Sequence, residues 1–148
     1  MIRAMQPGDA EWVAALIRTA FATVQVDPAP SALRVTAENV RTQLETGGGG
    51  AVHGWDGCIL WSAKQGGLYV GRLAVAPERR GQGIASALLA HAEAEARRMA
   101  LPRIHLEVRL ALAGNRRLFA RAGFVEGQRR AHPGYAKPTY VEAEKRLL

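Results

Sequence analysis

"LAVAPERRGQGIASALL", residues 73–89, sets the reading of the whole chain. It opens as an apolar strand, breaks at Pro77, passes two arginines and two glycines, and then turns helical. From Ile84 onward the apolar residues fall at Leu88, Leu89, Ala92, Ala96 and Met99, one face of a helix of about four turns. Arg79, Arg80, Gly81 and Gly83 therefore stand at a strand-to-helix turn. The first turn of a helix leaves backbone N–H groups unpaired, and the helix dipole adds positive potential there. Glycines let the backbone approach an anion closely, so a pyrophosphate is the natural guest. Two common phosphate patterns do not fit. A dinucleotide fingerprint would need a third glycine where Ser86 stands, at the first strand–helix turn of the fold, and a P-loop would need Gly-Lys-Ser/Thr.

Outward from this turn, the chain reads as alternating strands and helices. "RIHLEVRL" (103–110) alternates strictly, so residues 68–109 form a βαβ unit with two parallel neighbouring strands. "GNRRLFARAGF" (114–124) is a short helix closed by Gly123. "FVEGQRRA" and "TYVEAEKRL" are two closing strands joined by the loop "HPGYAKP". Upstream, "AVHGW", "GCILWSA" and "LYVGRLAVA" form an antiparallel meander with a hairpin signal at Asp56-Gly57. "IRAM" (2–5) is a short strand. A helix spans Glu11 to Val24, and a second, capped by Ser31, runs to about Glu45. The run Gly47–Gly50 reads as a flexible loop feeding a strand. The order is β-α-α-β-β-β-α-β-α-β-β. It implies an α/β protein with a mixed sheet, and no domain boundary interrupts residues 1–148.

Composition narrows the function classes. The chain has 148 residues, a net charge of +7 and one cysteine, so no internal disulfide forms and a cysteine metal cluster is not expected. Cys58 reads as a small buried hydrophobe. No apolar run approaches the ~20 residues of a membrane span. The N-terminus lacks a signal-peptide core, so a cytoplasmic location is the default expectation. Arginine supplies 17 of the 20 basic residues, and 11 of these lie between Glu78 and Arg130, against five acids. Its planar fork suits phosphate. Basic residues and aromatics do not interleave as they do in single-strand binders, so neither nucleic acid nor membrane is expected as a partner.

The 73–89 stretch resembles the main cofactor motif of the GNAT superfamily, the acyl-CoA N-acyltransferases. Arg80, Gly83 and Ala85 fill the family's Arg/Gln, Gly and Gly/Ala positions, and Val75 and Pro77 its preceding V-x-P. "LEVRLALAGNRRLFARAGF" (106–124) is similar to the family's second region, and the element order agrees along residues 2–148. The resemblance implies a GNAT-type fold with two splayed parallel strands and acetyl-CoA as co-substrate, with no metal. It implies pyrophosphate on the backbone of Arg80, Gly81, Gln82, Gly83, Ile84, Ala85 and Ser86, and pantetheine along Leu73, Ala74 and Val75. The Val75 amide would donate to the thioester oxygen. Asn115 would meet the pantetheine amide or cap its helix. Arg116, Arg117 or Arg121 would reach the 3′-phosphate.

The implied reaction is direct attack by a primary amine of a small molecule or protein N-terminus. The sequence departs from the family at Phe119, where a tyrosine acid often stands. Tyr135 is the first substitute and Tyr140 the second. Tyr69, Glu107 and His132 are candidate bases. Tyr69 shares a face with Val75 only if no bulge intervenes. Trp12 or Phe21 could wall the acceptor site, and Trp55 and Trp61 read as core or half-buried contacts. A non-catalytic acyl-CoA sensor is the alternative reading, and homodimerisation stays open.

Overall fold

The computed structural model describes residues 1–148. Its elements are β1 (Ile2–Ala4), α1 (Ala10–Phe21), α2 (Ala37–Glu45), β2 (Gly48–His53), β3 (Gly57–Lys64), β4 (Gly67–Val75), α3 (Ile84–Arg98), β5 (Arg103–Arg109), α4 (Ala113–Arg121), β6 (Val125–Arg130) and β7 (Tyr140–Arg146). The element order is the one read from the sequence. The strands form one mixed sheet in the order β1-β2-β3-β4-β5-β7-β6. Only β4 and β5 run parallel. The last strand, β7, inserts between β5 and β6.

Strand alternation divides the core between the two faces of the sheet. Cys58 and Leu60 point to a cluster under α1 and α2, with Val13, Ile17 and Val40. Ile59 and Trp61 point the other way, to a cluster under α3 with Leu88, Leu89, Ile104 and Leu106. Burying a side chain such as Ile59 stabilises the fold by about 1.5–3 kcal/mol. Burial pushes the Cys58 thiol up to about 12, which suits packing rather than nucleophilic attack.

Two expectations need correction. Ser31 does not cap the second helix. Ser31–Arg34 is a separate 3-10 turn, and α2 begins after Thr36. The Thr36 hydroxyl accepts from the Asn39 amide and the Asn39 side chain accepts from the Thr36 amide, a reciprocal cap. Nor is the glycine run a loop. Gly48–Gly50 belong to β2 and pair with Leu60–Ser62 of β3. A Cβ on Gly50 would lie 2.6 Å from the Ile59 carbonyl oxygen and 3.0 Å from Met5 Cε. Glycine here serves close approach.

Gly50→Ala should therefore lower the unfolding free energy by about 1–3 kcal/mol through overpacking. Gly8→Ala, with no atom within 4 Å of its Cβ, should stay close to wild type. Urea unfolding of both variants checks this, and equal midpoints would refute the close-packing account of β2.

Candidate active site

The site arises where β4 and β5 part. Their parallel pairing covers only Leu68 with Ile104 and Tyr69 with His105. β4 stays bound to β3 through Val75, and β5 stays bound to β7 through Arg109. A gap therefore opens between the two strands beyond Tyr69. The Ala76 amide donates to the Asp56 carbonyl on the β3 side at 2.8 Å. Because successive amides of an extended strand point to opposite edges, Leu73 and Val75 present theirs to the gap. The Ala74 amide points back to β3.

A bulge at Gly71 decides which side chains share a face. Leu60 pairs with Arg72 and Trp61 with Val70, so Gly71 is the extra residue on β4. Leu68, Val70, Leu73 and Val75 meet the α3 cluster, whereas Tyr69, Arg72 and Ala74 take the opposite face. Tyr69 thus does not share the face of Val75.

The gap widens into a cavity of about 780 Å³. Its helix end is lined by Gly81, Gly83, Ile84, Ala85 and Ser86. Gly81 and Gly83 have φ of +79° and +80°, and a Cβ on either would meet nothing within 4 Å. The positive φ favours glycine, and the open space leaves the bare backbone facing the cavity. Arg80 turns its guanidinium away from the turn, donating to the Ala20 carbonyl at 2.8 Å and Thr23 Oγ1 at 3.1 Å. Arg79 donates to Gln82 Oε1 at 3.1 Å and pairs with Asp56 at 3.4 Å, so the Gln82 side chain is taken up locally. The turn thus offers backbone donors in an electropositive setting.

The third wall comes from α4. Asn115, Leu118, Phe119 and Arg121 line the cavity. Asn115 lies inside α4 and does not cap it; the helix begins after Leu112 without a side-chain cap. Phe119 packs edge-on to Phe124 at 5.9 Å. Arg116 is tied to Glu126 by two bonds of 2.8 Å. Arg121 faces the cavity outside the ion pairs of the molecule.

At the far end lie Tyr69, Arg72, Glu107, Arg109, His132 and Tyr140, with an apolar rim of Phe21, Val24, Val26 and Pro30. The Tyr69 hydroxyl donates to Glu107 Oε1 at 3.4 Å. Burial first, and then the Glu107 carboxylate, push the Tyr69 phenol up to about 12. A phenol held there gives up its proton less readily, which weighs against Tyr69 as the base. Burial also lowers the His132 imidazole, which bonds Thr139 Oγ1 and packs on Tyr140 at 5.0 Å.

Tyr135 lies outside the cavity lining. Its hydroxyl donates to Asp27 Oδ1 at 2.5 Å, and this bond leads the causes that raise its pKa. The contact joins the 131–139 loop to the loop between α1 and α2. Trp12 is also elsewhere, bonded to Asp9 and packed on Trp55 at 5.0 Å. Trp61 is buried, but Trp55 is 75% exposed, not half-buried. Arg72 and Arg109 escaped the sequence reading. Without the bulge, Arg72 would count onto the buried face of Leu68 and Val70, and nothing in the local sequence marks Gly71 as the extra residue.

Residues 45–124 match the model of the acetyltransferase (GNAT) family, and the chain belongs to that family. Its fold is similar to that of the PaiA N-acetyltransferase of Thermoplasma acidophilum crystallised with coenzyme A (TM-score 0.75, 16% identity, 99% of each chain). It is similar too to the ribosomal-protein-S18-alanine N-acetyltransferase of Escherichia coli (TM-score 0.76, 16% identity, 99% of this chain and 92% of that one). A GNAT-family acetyltransferase of Streptococcus pneumoniae gives a TM-score of 0.77 at 19% identity, over 99% of this chain and 98% of that one. A search of curated proteins found no match to this chain. No helix is long and apolar enough to cross a membrane.

The Tyr135–Asp27 contact gives a first test. Tyr135→Phe should speed amide exchange in residues 24–30 several-fold while global stability falls by about 1 kcal/mol or less. Exchange mass spectrometry reads this, and unchanged protection would mean the contact does not hold the loop.

Proposed function

We propose that residues 1–148 form one acetyl-CoA-dependent N-acetyltransferase domain acting on a primary amine. The observation that carries this reading is the gap itself. It opens where the pairing of β4 and β5 ends, is edged by the amides of Leu73 and Val75, and runs onto the bare Gly81–Gly83 turn at the start of α3.

In this reading the pantetheine arm lies in the gap as an added strand along Leu73–Val75. The pyrophosphate lies on the backbone from Arg80 to Ser86, with Gly83 giving the closest approach. Asn115 contacts the arm, Phe119 packs against it, and Arg121 reaches the 3′-phosphate. The Val75 amide donates to the thioester oxygen, where negative charge grows as the amine attacks. Glu107, directly or through a water, takes the proton of the incoming ammonium. Tyr69 is a positioning residue that holds Glu107. The amine nitrogen forms the C–N bond, the C–S bond breaks, and the sulfur leaves as a thiolate that receives a proton. Tyr140 lines the cavity and Tyr135 does not, so Tyr140 takes the donor role. Phe119 has no proton to give, and that supports a second reading, a non-catalytic acyl-CoA sensor. Turnover separates the two.

Thermal unfolding with and without acetyl-CoA tests the cofactor. A ligand at about 100 times its Kd adds about 2.7 kcal/mol to stability. Gly83→Asp should abolish the acetyl-CoA shift, whereas Gly83→Asn, with the same backbone demand and no charge, should keep most of it. Equal shifts in the two variants would remove pyrophosphate from this turn. Where an amine releases thiol, Tyr140→Phe should cut kcat about a hundredfold and Tyr135→Phe should leave it near wild type. The reverse ranking would return the acid role to Tyr135. No thiol release with any amine, together with an intact acetyl-CoA shift, would favour the sensor.

A further inference from the structure

The acceptor end of the cavity is charged in a way that the chemistry of amine transfer alone does not call for. Glu107 is the one carboxylate among the residues lining the cavity. Facing the same space are Arg72 and Arg109. Arg72 Nη1 donates to the Gly71 carbonyl at 3.2 Å and Nη2 to Ser31 Oγ at 3.0 Å. Arg109 Nη1 donates to the Pro28 carbonyl at 2.7 Å. All three acceptors are neutral, and neither guanidinium enters any ion pair of the molecule. Nearby arginines differ. Arg103 has Glu144 at 2.8 Å, Arg116 has Glu126 at 2.8 Å and Arg130 has Glu142 at 2.7 Å. Asp27 acts on Arg109 from beyond pairing distance and already accepts from Tyr135. Arg72 is half-buried with no anionic partner, and its burial lowers its pKa.

A half-buried guanidinium keeps several N–H donors and is costly to leave without an anion. An acceptor carrying only an ammonium would meet two such cations and one carboxylate. An acceptor carrying both charges would satisfy each side.

We propose that the acceptor is a small aminocarboxylate, a molecule of the amino-acid class, whose ammonium meets Glu107 and whose carboxylate is bound by Arg72. The proposal rests on the acetyltransferase reading of the site. Phe21, Val24, Val26 and Pro30 give its side chain an apolar wall. The rim of this end fits a small molecule better than a peptide terminus. The loop between α1 and α2 lines it and is fastened by Arg72 to Ser31, Arg109 to Pro28 and Tyr135 to Asp27.

The test is calorimetry on the protein saturated with coenzyme A, which needs no turnover. Leucine, methionine and phenylalanine are each compared with the amine that lacks the α-carboxylate, and with an acidic tripeptide. At least one aminocarboxylate should bind tenfold or more tightly than its decarboxylated partner, as a charge-assisted pair implies. Arg72→Met should remove that preference, Arg72→Lys should keep part of it, and both should retain the acetyl-CoA melting shift. No preference in any pair, or tighter binding of the tripeptide than of every aminocarboxylate, overturns the proposal. A preference that survives Arg72→Met overturns the role of Arg72. The comparison of ligands on the wild-type protein stands even if a variant fails to fold. Thiol release is scored separately. Its absence alongside a clear preference would retire the acetyltransferase reading and leave the aminocarboxylate site standing.

Discussion

The early parting of β4 from β5 is the constraint from which the rest of the site follows. β3 binds one edge of β4 from Gly67 through Val75, and β7 binds the far edge of β5 from Arg103 through Arg109. Between them β4 and β5 share only two residue pairs. Each strand keeps its antiparallel ladder on its outer edge, so the edges that face the gap beyond Tyr69 are the ones left without a neighbouring strand. The open edge of β4 is held in place by its partners, and its free amides are the kind of edge that accepts an added extended chain.

The same strand sorts chemistry from packing. One extra residue at Gly71 reverses the alternation of β4 halfway along. Leu73 and Val75 keep contact with the α3 cluster while their amides face the gap. Tyr69 and Arg72 come together on the opposite face, above Glu107 and Arg109 of β5. Backbone chemistry and side-chain chemistry thus meet at one place from two faces of one sheet. A flat strand without the bulge would have buried Arg72 against Val70.

Much of this was legible in the sequence, for identifiable reasons. The helix periodicity from Ile84 to Ala96, the glycines at 81 and 83 and the alternation over 103–110 are local signals, and they located the βαβ unit and its turn. The missed features are non-local. The cap of α2 is the exception, a local pairing of Thr36 with Asn39 three residues on. The glycines of β2 looked like a loop because nothing nearby in sequence reveals that Gln43, Ile59 and Trp61 crowd their Cβ positions. The hydroxyl of Tyr135 is claimed by Asp27, 108 residues away, a contact no local pattern announces.

The arginine-rich composition also takes on a different meaning in three dimensions. A net charge of +7 suggested an anionic partner without saying which one. Most arginines of the second half are consumed internally. Arg97, Arg98, Arg103, Arg116 and Arg130 pair with carboxylates, and Arg80 closes onto a carbonyl at the end of α1. Surface pairs of this kind add little stability each and carry no information about ligands. What remains is more selective than the total. Arg121 stands at one end of the cavity and Arg72 and Arg109 at the other, each without a carboxylate partner. On the proposed reading, one cationic end takes the phosphates of the cofactor and the other the carboxylate of a zwitterionic acceptor. The bond between those molecules would form over the amide of Val75.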